Sequence, residues 1–365
     1  MPEARRRRSV LRVIIVAELV VALVTAATVV FAYNHLDSNI VAGPVISHQN
    51  EKPTQADDEP HEPLNILLMG TDTRDCEGCK IDGEAGGGVS DTTILLHVAA
   101  DRKSAYGISI PRDLLVDRPD CIVDGKTIPG GEQVLWNDAF AVGGPACTVQ
   151  QVESVFAPIY VDDYLTIDFG GFKDMVDAIG GVNVCIPQDL DDPEYTHAHF
   201  DAGDSVHLNG DEALAYVRLR HVLAGTDIGR MKRQQAFIAS MVNKVISADT
   251  LTRPDKLLRF ANALTSSLQA SPDLASAGAL VKLAGSLKDA DLSHIKFVTM
   301  PNFLYAEGTE GYPHVGLLPA HKKLVEQVVA DEPLGNFAGV LSANGPKKRP
   351  TEAEKEAAAA AGICA

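Results

Sequence analysis

The fold is decided by residues 64–113, which read LNILLMGTDTRDCEGCKIDGEAGGGVSDTTILLHVAADRKSAYGISIPRD. Three apolar runs lie in this stretch, at Leu64–Met69, Thr92–Val98 and Ser104–Ile110. Each is about as long as a buried strand and is bounded by residues that favour turns. We therefore predict three strands, with polar residues gathered where the strands begin and end.

Beyond this stretch, short apolar runs alternate with segments of helical periodicity. Further strands are predicted at Tyr164–Ile167, Val182–Ile186 and Ile295–Val298. Helices are predicted at Thr148–Phe156, Phe172–Ile179, Asp211–Val217 (capped by Asn209), Asp227–Ser247, Pro254–Leu268 and Ala275–Leu287. This alternation predicts the α/β class, with a sheet covered by helices on both faces.

The composition narrows the classes of function. The chain has 365 residues and a formal net charge of −17, which excludes a general nucleic-acid binder because DNA and RNA require a basic surface. Hydrophobic residues make up 45% of the chain and charged residues 22%. This mixture excludes a largely disordered chain and a protein with many membrane spans.

A long apolar segment follows an arginine-rich start. The segment Val13–Tyr33 carries one charge, Glu18, and a helix of this length spans ~30 Å, the thickness of the bilayer's hydrocarbon. A cleaved signal peptide is the alternative, but its apolar core is shorter and no convincing cleavage site follows Phe31. The arginines within residues 1–12 predict a cytoplasmic N-terminus, a single-pass anchor and an extracytoplasmic domain.

The segments that flank the predicted domain have a different composition. Residues 34–63 are rich in proline and acidic side chains from residue 37 onward, and we expect an extended, solvated extracytoplasmic linker. Residues 335–365 are expected to form a C-terminal tail that is frayed from residue 346 onward, with a short surface helix there as the alternative. The domain itself is expected to occupy residues 64–334.

Six cysteines are compatible with an oxidising, exported location, where disulfides persist. For Cys76 and Cys79 we favour a structural disulfide over half of a zinc site or a redox pair. A second CxxC or histidine pair with matching spacing is lacking, and no strand–CxxC–helix pattern surrounds the motif. One further bridge is expected among Cys121, Cys147 and Cys185, and the pairing stays open.

Polar residues at the strand ends form the first candidate site. Asp72 and Arg112 follow the first and third strands, and Asp91 stands at the start of the second. The two carboxylates meet if these strands are antiparallel neighbours, and without a suitable histidine or cysteine they predict Mg²⁺ rather than Zn²⁺. The alternative is that they are ordinary turn and cap residues.

A second cluster is basic, although the chain as a whole is acidic. Arg218 and Arg220 follow a predicted helix, and Arg230, Arg233 and Gln234 lie on the next one. Arginine binds phosphate through two hydrogen bonds and stays charged when buried, so this cluster beside a magnesium pair predicts a diphosphate site. The alternative is a salt-bridged, solvent-exposed helix face.

The order of these motifs resembles that of the LytR–CpsA–Psr family of bacterial cell-wall proteins, in its actinobacterial type. The blocks that carry the resemblance are GTDTR (70–74), SDT (90–92), PRD (111–113), DFGGF (168–172), IGGVNV (179–184), LNGDEALAYVRLR (208–220) and DIGRMKRQQ (227–235). The resemblance covers residues 64–334. It implies a three-layer sandwich with a mixed central sheet, preceded by one transmembrane helix.

Members of this family are membrane-anchored phosphotransferases that move a glycopolymer from a polyprenyl-diphosphate carrier to peptidoglycan. The resemblance implies that the lipid tail occupies an apolar tunnel between the sheet and the helices. It implies Arg112, Asp113, Arg218 and Arg220 for catalysis, Arg74, Asn137, Arg230, Arg233 and Gln234 for substrate binding, and Asp72 and Asp91 for Mg²⁺. Asp113 or Asp91 would accept the proton.

One position departs from the family pattern. A lysine commonly stands two residues before Asn137, and this chain has Leu135 there, so one positive contact is missing. Two other functions are considered beside the transferase: a pyrophosphatase acting on polyprenyl diphosphates, and a non-catalytic regulatory protein that binds polyprenyl phosphate. Leu135 favours the last of these. Product released without an acceptor would favour the pyrophosphatase.

Overall fold

The computed structural model confirms the predicted α/β class. An eight-stranded mixed sheet carries helices on both faces, and a long N-terminal helix precedes it. The structure describes residues 2–52, 61–72, 88–193, 196–219, 227–247, 250, 252–287, 295–335, 337, 341–342, 358 and 363–364. Arg74, Cys76, Cys79 and Arg220 lie outside the described residues.

The helices and strands are numbered in chain order. The helices are α1 (Pro2–Asn39), α2 (Asp138–Val155), α3 (Phe169–Ala178), α4 (Gly210–Arg218), α5 (Asp227–Ile246), α6 (Pro254–Ser266), α7 (Ala277–Ser286) and α8 (His321–Val329). The strands are β1 (Val41–Ala42), β2 (Leu64–Thr71), β3 (Ser90–Val98), β4 (Ala105–Ile110), β5 (Leu115–Arg118), β6 (Cys121–Val123), β7 (Lys126–Ile128), β8 (Gly131–Leu135), β9 (Asp163–Asp168), β10 (Val182–Ile186), β11 (Leu190–Asp192), β12 (Ala198–Phe200), β13 (Gly203–Leu208), β14 (Leu268–Ala270), β15 (Lys296–Thr299), β16 (Asn302–Leu304), β17 (Val315–Leu317) and β18 (Leu341–Ser342).

The three strands predicted from residues 64–113 lie side by side in the main sheet, whose order is β1-β14-β9-β2-β3-β4-β15-β18. Strand β3 is antiparallel to both β2 and β4. Strand β9 runs parallel to β2, and β15 runs parallel to β4. The carboxyl ends of β2, β4, β9 and β15 therefore meet the start of β3 at one edge of the sheet.

The central strands send alternate side chains into two separate cores. Leu67 and Leu95 pack in the core that includes residues of α2 and α8. Leu68 and Ile94 point the other way and pack near Ile238 of α5. This division gives three layers, with α3, α4 and α5 on the face opposite α2 and α8.

Helix α2 begins at Asp138, earlier than the predicted start at Thr148. The helix is kinked where Gly144 adopts φ 61° and Pro145 follows it. A glycine can take this positive φ because it has no Cβ, and the following proline only bends a helix that is anchored on both sides.

The linker expected to be solvated packs on the domain up to residue 52. The buried carboxylate of Glu153 accepts a hydrogen bond from the Gln49 amide at 2.6 Å and lies 2.8 Å from Nδ1 of His48. The hydroxyl of Tyr164 donates to the carbonyl of Pro44 at 2.8 Å. These long-range contacts replace the expected stalk with a docked segment.

Two disulfides among the described residues tie remote parts of the chain together. Cys121 is bonded to Cys147, which confirms one bridge among the three cysteines considered above. Cys185 is bonded to Cys364, so the end of the expected frayed tail is instead fixed beside β10. Ile363 is also buried, in a cluster with Ala358.

Removing the Cys121–Cys147 bridge should destabilise the fold without touching the sheet edge. We expect the Cys121→Ser/Cys147→Ser protein to lose about 3 kcal/mol of unfolding free energy, because the bridge restricts the unfolded chain. Urea unfolding of both proteins under non-reducing conditions measures the loss. Adding a reductant to the double-serine protein serves as the control for the remaining Cys185–Cys364 bridge, and equal unfolding midpoints of the two non-reduced proteins would contradict a stabilising Cys121–Cys147 bridge.

Candidate functional site

Asp72 and Asp91 are brought together by an irregularity between β2 and β3. The pairing register shifts between Gly70 and Thr71, which leaves Asp91 as the extra residue of a bulge in β3. The amide of Asp72 donates to the carbonyl of Val89 at 3.1 Å. Asp72 is 4% exposed and Asp91 9% exposed, so two buried acidic residues lie at the same edge of the sheet, one following β2 and one on β3.

Each carboxylate is met by an arginine from another element. Nη1 of Arg112 donates to Oδ1 of Asp91 at 2.8 Å, and Nε of Arg112 lies 3.3 Å from Oδ1 of Asp113. Nη2 of Arg218 lies 3.7 Å from Oδ2 of Asp72. Because these groups are largely shielded from water, each charge acts strongly on its neighbours.

Arg218 is held by an aromatic ring that sequence reasoning gave no role. Its guanidinium lies over the ring of Phe169, 4.8 Å from the ring centre, at a distance typical of cation–π contacts. Phe169 begins α3 directly after Asp168, whose side chain caps the helix by accepting from the Gly171 amide at 2.8 Å. The DFGGF block thus contributes both a helix cap and a platform for the arginine.

An apolar cavity of about 190 Å³ extends from this charged cluster between the sheet and α3, α4 and α5. One stripe of α5 runs along it, formed by Arg230, Gln234, Phe237, Ile238 and Met241. Since an α-helix rises ~1.5 Å per residue, the polar and apolar ends of this stripe are ~16 Å apart. The cavity therefore changes from charged to apolar along its length.

The first residue of α3 and the first turns of α5 contribute to the charged end of the cavity. Helix α3 starts at Phe169, beside Arg218, and α5 presents Arg230 from its first turns. The free amide groups at a helix N-terminus carry partial positive charge and favour a bound anion. Arginine side chains and helix ends thus favour negative charge at the same place.

Three residues of α5 were expected to bind substrate, and the structure places them in two different environments. Arg230 and Gln234 line the cavity, and Nε2 of Gln234 also donates to the carbonyl of Val217 at 3.2 Å. Arg233 is not among the residues that line the cavity, although substrate binding was expected of it. Its Nη2 is buried and donates to the carbonyl of Leu219 at 2.5 Å.

Gln235 on the same helix fixes α5 to the sheet. Its Nε2 donates to the hydroxyls of Ser109 on β4 and Thr299 on β15, at 2.8 and 3.1 Å. Tyr216 is also buried, and this burial raises the pKa of its hydroxyl to about 12. The neighbouring charge of Arg233 acts to lower the pKa. The two hydrogen bonds of Gln235 thus attach α5 to the sheet at the ends of β4 and β15.

Asn137 contacts the backbone of Arg112. Its amide donates to the carbonyl of Arg112 at 3.3 Å. Its side-chain oxygen is buried and has no hydrogen-bond partner within the part of the chain that the structure describes. Leu135, at the position where a lysine was expected, is half-buried and pairs with Leu115 of β5.

The structure thus brings together Asp72, Asp91, Arg112, Asp113 and Arg218, with Arg230 and Gln234 along the adjoining cavity. Arg74 and Arg220 lie outside the described residues, and Arg233 is turned into the protein. A charged mouth above an apolar cavity can bind a phosphate group and an attached hydrocarbon chain at once.

The chain is similar to a known protein family and to several of its members. The model of the LytR_cpsA_psr family matches residues 31–317. The chain is 34% identical over 200 residues to the polyisoprenyl-teichoic acid–peptidoglycan teichoic acid transferase TagV of Bacillus subtilis, covering 54% of this chain and 47% of that protein. It is 31% identical over 263 residues to the cell wall biosynthesis protein LcpA of Corynebacterium glutamicum, covering 65% and 49%.

Among solved structures, the chain is similar to TagV of Bacillus subtilis with a TM-score of 0.53 and 26% identity. The likeness covers 74% of this chain and 97% of that one. The chain spans about half the length of the two curated relatives named above.

Proposed function

Because this chain belongs to the LytR–CpsA–Psr family, we propose that it is a membrane-anchored phosphotransferase. It would move a glycopolymer from a polyprenyl-diphosphate carrier to peptidoglycan during cell-wall assembly. The similarity to a protein named as a teichoic acid transferase supports the reaction class.

One observation carries the proposal: the arginines meet the carboxylates at the mouth of an apolar cavity. A polyprenyl diphosphate has an anionic head and a hydrocarbon tail, and it needs both environments at adjacent positions. Arg218 and Arg230 would bind the diphosphate oxygens, because guanidinium groups form paired hydrogen bonds to phosphate. The tail would then lie along Phe237, Ile238 and Met241, which line the apolar end.

The donor set of Asp72 and Asp91 fits Mg²⁺. This ion is commonly held by one or two carboxylates together with substrate phosphates and waters. Among the described residues no group of three or more histidine, cysteine or acidic side chains could hold a metal alone, so phosphate oxygens and waters would complete the set. When bound, the ion would neutralise charge on the diphosphate.

The chain's own residues would supply positioning and charge stabilisation, the main contributions to phosphoryl transfer. A hydroxyl oxygen of peptidoglycan attacks the sugar-linked phosphorus, and the bond from that phosphorus to the bridging oxygen breaks. Polyprenyl phosphate leaves with the electron pair, next to Arg112 and Arg218. The hydroxyl proton passes to Asp113, since Asp91 is assigned to the metal.

The membrane topology supports this chemistry. The helical segment Val13–Asn39 is long and apolar enough to cross a membrane. With the arginines of residues 1–12 in the cytoplasm, the domain lies outside, where lipid-linked glycans and peptidoglycan meet. The diphosphate bond itself supplies the driving force, so ATP is not required.

The proposal is tested by reconstituting the full chain in vesicles with a polyprenyl-diphosphate glycan and peptidoglycan. We expect glycan to become covalently attached to peptidoglycan by a phosphodiester. Absence of transfer by the folded protein would contradict the proposal. Release of the phosphorylated products in the absence of peptidoglycan would instead indicate the pyrophosphatase.

Removing divalent cations should slow the reaction reversibly. We expect EDTA to lower the transfer rate several-fold and added Mg²⁺ to restore it, because two buried carboxylates and a diphosphate would otherwise repel each other. The Asp91→Asn protein should respond less to added Mg²⁺ than the parent does. A rate that EDTA leaves unchanged would remove Mg²⁺ from the proposal.

A further inference from the structure

The end of α1 packs against α6 and α7. Nε2 of His35 lies 2.9 Å from Oδ1 of Asn262, and Nδ2 of Asn39 donates to Oγ1 of Thr265 at 3.4 Å. Asp37 accepts a hydrogen bond from the amide of Ala277, the first residue of α7, at 2.8 Å. Because α1 contains the candidate membrane span, these contacts hold α6 and α7 where the chain leaves the bilayer.

Helix α6 runs in the same direction as α1. The strands that follow the two helices, β1 and β14, pair in parallel, with Val41 opposite Gln269. The residues of α6 that precede Asn262 therefore lie nearer the membrane than the contact itself. At ~1.5 Å per residue, Leu258 lies ~6 Å further toward the bilayer.

Helix α7 runs back toward the membrane. Its first residue contacts Asp37, and a Cβ placed on Gly278 would lie 3.0 Å from the hydroxyl oxygen of Tyr33, earlier on α1. Side chains of a helix lean toward its N-terminus, so the Tyr33 hydroxyl lies on the membrane side of its own Cα. Val281, one turn after Gly278, is consequently nearer the bilayer still.

The membrane side of both helices includes exposed apolar side chains, which lie beside the exposed Asp255–Arg259 ion pair of α6. Leu257 is 42% exposed, Leu258 50% and Val281 70%. Exposed Lys282 follows Val281, and a lysine at this position can reach lipid phosphate while its stem stays among apolar groups. The helix directions and the exposure of these side chains are independent observations that identify the same surface.

We propose that the first half of α6 and the second half of α7 lie in the boundary between headgroups and acyl chains. The domain would thus rest on the bilayer that anchors it, rather than extend away from it on a stalk. Apolar side chains at this depth gain the same burial energy as those of interfacial helices. We call this surface, formed by Leu257, Leu258, Val281 and Lys282, the membrane face.

The membrane face lies directly behind the apolar end of the cavity. Phe260 of α6 packs in one cluster with Phe172 and Met241, which both line the cavity. Helices α3 and α6 approach closely because Gly171 has no side chain, and a Cβ there would overlap Ser267. A hydrocarbon chain would have only one helix layer to pass between the bilayer and the cavity.

Tryptophan fluorescence tests the proposal in vesicles that contain the full chain. Leu258→Trp and Val281→Trp place a fluorophore on the membrane face, and Val329→Trp on α8 is the matched control, at a site 38% exposed on the opposite side of the sheet. Lipids with brominated acyl chains should quench the two membrane-face proteins about twofold. The control should be quenched no more than the parent, whose Trp136 is fully buried.

Equal quenching of all three proteins, or quenching of none, would overturn the proposal. A second readout uses Leu258→Glu, which should slow transfer from a donor embedded in the bilayer but leave turnover of a short, water-soluble donor unchanged. Quenching is measured without turnover, so it still reports on the membrane face if the proposed transferase activity fails.

Discussion

Replacing Arg218 by alanine should lower the transfer rate by about 10²–10³-fold, the usual effect of removing one preorganised donor to a developing anion. Arg218 is the arginine that joins the two halves of the site: it faces Asp72 and stacks on Phe169. Its loss removes positive charge from the diphosphate and leaves the buried Asp72 without this cation. We expect the loss in kcat to exceed any change in KM, because the charge on the leaving phosphate grows in the transition state.

The Arg218→Lys protein tests whether a positive charge is enough or whether the planar guanidinium group is needed. A lysine keeps the charge but loses the planar fork and the stacking on Phe169, so we expect an intermediate rate. Arg118→Ala is the control, since Arg118 lies on β5 and donates to the carbonyl of Pro129, away from the cavity. Thermal unfolding of each protein shows that the fold is intact, and a parental rate for Arg218→Ala would contradict the proposed site.

The local features of the fold were predictable from the sequence. The runs at residues 64–110 are long and apolar enough to be strands in any packed arrangement, and the structure confirms them. Asn209 and Glu212 form a complete capping box at the start of α4, as the predicted helix cap requires. The spacing of Arg230 and Gln234 on α5 likewise predicts a shared face, and both line the cavity.

Features that depend on distant partners were not predictable. Glu153 binds the docked segment near His48, more than a hundred positions earlier, and only the folded sheet brings them together. The pairing of Cys185 with Cys364 has the same origin. The pairing of β5 with β8 was missed because the strands are only four and five residues long, which is too short for a clear period-two pattern.

The burial of Arg233 shows where reasoning from residue type ends. An arginine cluster in an acidic chain favours an anion site, but the same residue type also satisfies carbonyl groups at the end of a helix. Arg233 is buried and donates to the carbonyl of Leu219, one turn of helix from the cavity-lining Arg230, and its role in substrate binding stays a prediction. Which side chain faces the cavity is set by the rotation of α5, and Gln235 fixes that rotation from the sheet side.

Filling the cavity should impair the reaction only for donors with a long tail. We expect the Ile238→Trp protein to bind such a donor about 10²-fold more weakly, since excluding three or four methylenes from burial costs ~3 kcal/mol at ~0.8 kcal/mol each. A donor whose tail is too short to reach Ile238 should keep its parental KM and kcat. The added indole occupies space that is open in the structure, so the fold should tolerate it better than an ordinary core position would.

Transfer kinetics with a series of donor tail lengths measure this effect, and Ile122→Trp on the exposed part of β6 is the matched control. The decisive quantity is the ratio of KM values for long and short tails. An unchanged ratio would mean that the tail lies elsewhere, even if Arg218 proves essential. A raised ratio would mean that the substitution, which lies far from the arginines, acts through the tail alone. The charged mouth and the apolar wall of α5 would then belong to one binding site.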